Sequence, residues 1–533
     1  MQSKTLKREN TDSSSGLFAE KLRDPVNVFC RLKPSKEKDS CIKVISPTLL
    51  SLSTPSDKKV VKDDLQYIFK HIFAPRTNQE EIFGHIAYPL LKDLVSGKSG
   101  LLFTYGVTGS GKTHTLTGNE NDPGIIPRCV DTLFNTIGPY QAKKFIIKSD
   151  RMNGFELQSD IEAAKARNLE SKISTRSGES KPFYTNDGTR IAEINENNLY
   201  AVFISYIEIY NNAVYDLLDD TSDKKLQSKI LREDAQRNMY VNNVVEVEVK
   251  SAAEAYDLFN IGQKRKRIGH TVLNTVSSRS HSIFSIRLVQ VIQQLGSSDG
   301  HLMVPEYNMF KLSQLSLVDL AGSERCNRTK TTGIHLKEAS NINNSLMTLR
   351  ICMEALRDNQ LNNANRLVPY RDSRLTLLFK NYFEGESLIH LIVCVNPASE
   401  DYEENLHVMK FAEISRNVKV NKSKPQYTLW HKNIIGKTIT QTPSSFKVPP
   451  IIPPLVFEPQ IPFVKLNLEN IDACDAELTR LLGILETRKK NAIAFEKELA
   501  TREQNLRKQL INHDNSIEKH EMHKMKIVLQ REK

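Results

Sequence analysis

From about residue 24 to 420 the chain alternates short apolar runs with amphipathic stretches of helical period. That alternation predicts a layered α/β domain. The strand candidates are "VNVFCRL", "GLLFTYG", "YAVFISYIEIY", "HSIFSIRLVQVI", "LSQLSLVDL" and "LIHLIVCV". The rhythm fails between Ser149 and Asn198, where the chain is polar and rich in Ser, Asn and charge. This predicts an inserted surface loop over 149–199 that adds little core, so that shortening it to a brief Gly/Ser link leaves folding intact. A shorter polar insertion covers roughly 295–308.

After about 420 the pattern changes. Six prolines fall between Pro449 and Pro462, and the only tryptophan, Trp430, precedes them. Proline removes donors and stiffens the chain, so 422–467 reads as an extended neck whose apolar side chains need a surface, either the preceding domain or another chain. From Leu468 a helix follows. Ile471, Leu478, Leu485, Ala492, Leu499 and Leu506 form a clean heptad column, while Arg488 and Arg502 interrupt the second. The pattern predicts a coiled-coil helix over 468–533 and a homodimer. Residues 1–23 are polar and read as a disordered arm rather than a signal peptide.

The longest strongly apolar run, 388–395, is too short to span a bilayer, so no transmembrane segment is expected. Seven scattered cysteines predict reduced thiols in a cytosolic or nuclear compartment, with neither a disulfide framework nor a zinc site. The formal charge of +11 suits any polyanionic surface, nucleic acid included, and does not choose between them.

Motifs narrow the choice. The stretch "LLFTYGVTGSGKTHTLT" is an apolar strand that breaks into G-x-x-x-x-G-K-[ST]. Its loop, Gly106, Val107, Thr108, Gly109, Ser110 and Gly111, can turn successive N–H groups onto phosphates. Lys112 would reach the β- and γ-phosphates and the Thr113 hydroxyl would ligate Mg²⁺. In "LSLVDLAGSE", Asp319 at a strand end can hold Mg²⁺ through water, and the Gly322 N–H can sense the γ-phosphate. The N-K-x-D signature of guanine-specific proteins is missing, since "NKSK" at 421–424 lacks the aspartate, which favours ATP over GTP. In "NTVSSRSHS", Ser277 and Ser278 can complete a Mg²⁺ shell and Arg279 can pair with a carboxylate or phosphate.

The ordered set "GVTGSGKTHT", "NTVSSRSH", "VDLAGSE" and "VPYRDSRLT" resembles the kinesin motor domain over roughly Asp24 to Asn421. The resemblance implies a P-loop motor fold with a central mixed sheet flanked by helices, and a microtubule-stimulated ATPase. It implies that Arg31 and Pro34 of "RLKP", together with His114, flank the adenine. Switch I would be Asn274 to His281 and switch II Asp319 to Glu324, with Arg279 and Glu324 closing on each other to order the attacking water. It also places the microtubule face on Arg325, Arg328, Lys330, Lys337, Arg366, Arg371, Arg374 and Lys380, basic groups that meet tubulin's acidic surface.

Several longer phrases, among them "CVNPASEDYEENLHVMKFAE", look like the MKLP-type mitotic kinesins, which include the motor subunit of centralspindlin. That likeness implies plus-end-directed movement, bundling at the central spindle and midbody in cytokinesis, and a Rho-family GTPase-activating partner on the Pro-rich neck. Nuclear residence in interphase is a further expectation. Two rivals stand beside this reading: a slow microtubule crosslinker, and a nucleic-acid ATPase, which explains neither switch I nor "VPYRDSRLT".

Overall fold

The computed structural model describes residues 23–35, 40–55, 64–174, 186–219, 226–234, 237–271, 279–292, 307–324, 334–362, 364–385, 387–421 and 426–431, with short helical stretches between 479 and 501. It divides into two units, Met1–Ile435 and Gly436–Lys533.

The first unit opens with β1 (Arg23–Pro25) and β2 (Asn27–Leu32), then a small antiparallel sheet of β3 (Ile42–Ser46), β4 (Leu49–Leu52) and β5 (Leu65–Ile68). Next come β6 (His71–Phe73), α1 (Gln79–Val95), β7 (Ser99–Tyr105), α2 (Lys112–Thr117) and α3 (Ile125–Ile137). A hairpin of β8 (Ile147–Ser149) and β9 (Phe155–Leu157) leads into α4 (Asp160–Ser174). Then follow β10 (Asn198–Tyr210), β11 (Ala213–Asp216), β12 (Ser228–Lys229), β13 (Leu231–Glu233), β14 (Met239–Val241), β15 (Val247–Val249) and α5 (Ala252–Thr271). The long strands β16 (His281–Ile292) and β17 (Tyr307–Asp319) precede α6 (Ile334–Asn362), α7 (Arg374–Glu384), β18 (Ser387–Val395) and α8 (Tyr402–Arg416). Two short strands, β19 (Lys419–Asn421) and β20 (Gln426–His431), close the unit.

The main sheet runs β12-β11-β10-β16-β17-β7-β18-β2-β6, with β15 also on β10 and β20 also on β17. It is parallel from β17 to β6 and antiparallel from β10 to β17. The parallel strands are buried on both faces, which explains their unbroken apolar runs. Alternate residues serve opposite cores. Leu101 and Phe103 of β7 with Ile389, Leu391 and Val393 of β18 face α6, α7 and α8, whereas Leu102 and Ile392 face α1, α3 and α5. All six strand candidates form, and they make up the middle of the sheet.

The segment 149–199 differs from its expected form as a loop outside the core. Its polarity hid a few anchoring contacts. Phe155 packs on a third apolar cluster with Ile147, Phe203, Val289 and Phe310, and its ring centroid lies 4.6 Å from that of Phe203. The Arg287 guanidinium lies over Phe155 at 4.7 Å, donates to Glu246 Oε1 at 2.7 Å and reaches the Asn153 carbonyl at 3.0 Å. Further on, Ile191 is buried and its N–H donates to Thr136. The polar stretch 293–306 and residues 175–185 lie outside the described residues.

β1 and β19 form a two-stranded sheet of their own. Arg23, Asp24 and Pro25 pair antiparallel with Asn421, Val420 and Lys419. Part of the stretch read as linker, 426–431, is strand β20 and pairs with β17 from Leu312↔Gln426 to Tyr307↔His431. The surface on which this part of the neck lies is thus its own domain. The Pro-rich residues 432–478 lie outside the described residues. In the second unit, Thr479–Thr487 is helical, and Leu482, Leu485 and Ile493 are exposed.

Candidate functional site: a phosphate loop clasped by the loop after β17

β7 ends at Tyr105 and the chain turns through Gly106–Gly111 into α2. Gly106 has φ +149, and a Cβ there would lie 2.2 Å from the Cys394 carbonyl, so no other residue fits this turn. Gly111 caps α2 in the left-handed region at φ +102. At the centre of the loop, buried Lys112 donates from Nζ to the carbonyls of Gly106 (2.8 Å) and Val107 (2.9 Å). Burial pulls its pKa down and Asp319 pushes it back up.

Two facing groups could hold a cation. Thr113 Oγ1 donates to Asp319 Oδ2 at 2.7 Å, joining the start of α2 to the end of β17. A hydroxyl and a carboxylate at this spacing suit Mg²⁺, with Thr113 as direct ligand and Asp319 acting through water. Among the described residues the buried hydroxyl of Ser110 has no protein partner, which fits a loop shaped for an anionic ligand. When bound, the magnesium nucleotide would supply the phosphoanhydride and the charge neutralisation. Ser277 and Ser278 lie outside the described residues.

The loop after β17 lies directly on the phosphate loop. The Ser323 N–H donates to the Gly106 carbonyl at 3.1 Å. Glu324 accepts from the Thr108 N–H at 2.9 Å and from the Thr108 hydroxyl at 2.5 Å. A Cβ on Gly322 would lie 2.2 Å from Glu324 Oε2 and 2.3 Å from Thr108 Oγ1, so glycine is required for this clasp. The resemblance implies that Arg279 closes on Glu324, and the Thr108 bonds stand beside that expectation. Both carboxylate oxygens here engage Thr108, a contact that motif reading missed.

At the residues that the resemblance assigns to the adenine, Arg31 Nη1 donates to Gln79 Oε1 (2.9 Å) and Thr115 Oγ1 (2.8 Å). Gln79 is fully buried, and its Nε2 donates to the His114 carbonyl at 2.6 Å. Arg31 and His114 therefore meet through Gln79, while Pro34 is exposed just beyond β2. Burial lowers the pKa of both Arg31 and His114. The Gln79 N–H donates to Asp122, which lies 3.8 Å from Arg128. Arg128 also donates to Asp187 at 2.7 Å, so the inserted segment is linked to the Gln79 network.

Residues 30–418 match the family model described as the kinesin motor domain. The chain belongs to the kinesin motor family. It is 45% identical over 493 residues to mouse kinesin-like protein KIF23, covering 88% of this chain and 51% of that one. It is 34% identical over 454 residues to human kinesin-like protein KIF20A, covering 74% and 50%. The chain thus spans about half the length of the curated relatives it matches. A solved structure described as kinesin 6 aligns with TM-score 0.63 and 35% identity, covering 76% of this chain and 100% of that one. A KIF14 dimer solved with AMP-PNP on a microtubule aligns with TM-score 0.56 and 27% identity, covering 75% and 97%.

In this kinesin, His281 at the start of β16 joins the loop after β17 to α6. Its Nδ1 accepts the Ala321 N–H at 3.0 Å, which leaves the ring proton on Nε2, where it donates to Ser345 of α6 at 2.7 Å. Burial, with Lys266 and Lys112 nearby, pushes its pKa down to about 3, so the ring is neutral. Lys266, buried on α5, donates to Ser282 at 3.1 Å. On sequence, His281 is only the end of switch I and Lys266 carries no role. The lysine sits in a basic run, Lys264–Arg267, of the kind that normally faces solvent.

Of the expected microtubule residues, Arg325, Arg328 and Lys330 lie outside the described residues, and Lys337 is placed on α6 by backbone alone. Arg366, Arg371 and Arg374 are exposed around the start of α7. Lys380 is half-buried between Glu233 (3.7 Å) and Glu384 (3.8 Å), so much of its charge is already matched within the domain. Leu367, 89% exposed beside Arg366, adds an apolar side chain to this face that charge patterning does not reveal.

Proposed function

We propose that this chain is a microtubule-stimulated ATPase that uses Mg·ATP to drive plus-end-directed movement and the bundling of spindle microtubules in cytokinesis. One observation carries the motor reading beyond simple hydrolysis. β17 ends at Asp319, which holds Thr113, while its other end pairs with the neck strand β20. A loop that responds to the γ-phosphate and the neck therefore share one rigid strand. The exposed arginines around α7 supply a basic docking face, whose affinity falls as salt rises.

The Pro-rich neck supports a Rho-family GTPase-activating partner, and the exposed Leu482, Leu485 and Ile493 support dimerisation through the following helix. The MKLP-type likeness supports work at the central spindle and midbody, with nuclear residence in interphase. ATP turnover measured with and without taxol-stabilised microtubules, at low and raised salt, tests the core of the proposal. Strong stimulation that weakens with salt is expected; a rate indifferent to microtubules overturns it.

A further inference from the structure

Away from the nucleotide site, the edge strand β6 and the helix α1 bring two imidazoles and a carboxylate together. His71 on β6 and His85 on α1 lie face to face, with ring centroids 4.7 Å apart and planes 8° from parallel. Glu81 stands one helical turn before His85, so the two project from the same face of α1. One ligand atom from each of His71, Glu81 and His85 lies within 4.8 Å of the others. Both rings also meet Phe73 edge-on, His71 at 4.8 Å and His85 at 5.9 Å, which gives the cluster an apolar floor.

The geometry points to a divalent-metal site of the zinc class, held by His71, Glu81 and His85 with a fourth position left to water. Two imidazole nitrogens and one carboxylate oxygen suit zinc and its borderline neighbours, whereas Mg²⁺ and Ca²⁺ prefer all-oxygen shells. Zinc bonds of about 2.0–2.1 Å place ligand atoms roughly 3.3 Å apart in a tetrahedron, so closing the site from 4.8 Å takes about 1.5 Å of side-chain movement. Glu81 and His85 are exposed and His71 is half-buried, so rotation about their side-chain bonds is open to them.

Both supporting elements are anchored elsewhere. β6 pairs with β2 through Phe29↔His71, and Asn78 caps α1 by accepting the Glu81 N–H at 2.9 Å. A bound ion would cross-link the sheet edge to the helix whose first residue, Gln79, braces Arg31 and His114.

The test is calorimetric titration of the full chain with zinc chloride, in magnesium and ADP so that the nucleotide's own cation position is filled. One saturable site is expected, with a zinc-dependent rise in thermal midpoint. His85→Ala and His71→Ala should each weaken binding by at least the roughly tenfold that losing even an outer-shell partner costs. Glu81→Gln, which keeps the helix face polar, should also weaken it. Absence of saturable zinc binding in the wild type means that the ring stack over Phe73 is aromatic packing alone, and overturns the proposal. Binding that survives unchanged in the His71→Ala/His85→Ala double variant overturns it equally.

Discussion

Thr108 engages both carboxylate oxygens of Glu324, one through its backbone N–H at 2.9 Å and the other through its hydroxyl at 2.5 Å. Charge-assisted bonds of this kind are about twice as strong as neutral ones. They tie the phosphate loop to the loop that follows Asp319, so movement in either is felt by the other.

Glu324→Ala should therefore retain ATP binding and lose turnover. Thr108→Ala removes only the hydroxyl and should cost about 1–2 kcal/mol, or roughly 5–30-fold in rate. Single-turnover phosphate release, measured beside binding of a fluorescent ATP analogue, separates the two steps. Microtubule-stimulated release by Glu324→Ala within about twofold of wild type would contradict the clasp's role.

Gln79→Ala should raise the KM for ATP more than it lowers kcat. It takes one acceptor from Arg31 and one donor from the His114 carbonyl, and losing buried hydrogen bonds of this kind costs about 1–3 kcal/mol. Arg128→Ala, one step further out through Asp122, should produce a smaller rise in KM. Steady-state kinetics over a range of ATP concentrations decide this, and an unchanged KM in Gln79→Ala counts against the brace.

Phe155→Ala should lower stability by about 2–4 kcal/mol, the range for losing a packed aromatic that is partly buried. Replacing 149–199 with a short flexible link, harmless on sequence grounds, should now cost at least as much, because it also takes away the Asn153 carbonyl that Arg287 donates to. Denaturant unfolding of the motor domain gives the answer; a midpoint unmoved by Phe155→Ala restores the view of the segment as a passive loop.

His281 and His390 are buried neutral rings whose pKa values are pushed from 6.5 down to about 3. Above about pH 6.5 folded and unfolded chains hold them alike. As the pH falls through that value the unfolded chain takes up protons that the folded chain refuses. Stability should thus drop towards about pH 3, by up to about 1.4 kcal/mol per pH unit per ring. His390→Gln should flatten this acid limb in urea titrations at stepped pH. Parallel limbs for variant and wild type would show that His390 takes no part.

The six long strands and the glycine loop were legible because each is a local signal, an apolar run or a fixed spacing. Asp319 and Gly322 were legible for the same reason. The clasp by Thr108 was not, since it joins positions 216 residues apart in two separate motifs, and nothing local pairs one with the other. Gln79, Arg128 and Lys266 were hidden by their polarity, which on sequence grounds assigns them to solvent. Burial becomes acceptable only when several polar groups satisfy one another, and that condition exists only in three dimensions. β20 was hidden for a related reason: its partner edge on β17 lies more than a hundred residues earlier in the chain.

The pairing of β1 with β19 makes the beginning and the end of the motor domain hydrogen-bonded neighbours. Adjacent strands lie about 5 Å apart, so Arg23 and Asn421 form a built-in ruler. A donor dye at position 23 and an acceptor at 421 would report, molecule by molecule, whether the outgoing strand is seated or has peeled away. A fluorescent fusion placed ahead of Arg23 would in turn crowd the neck from its first residue.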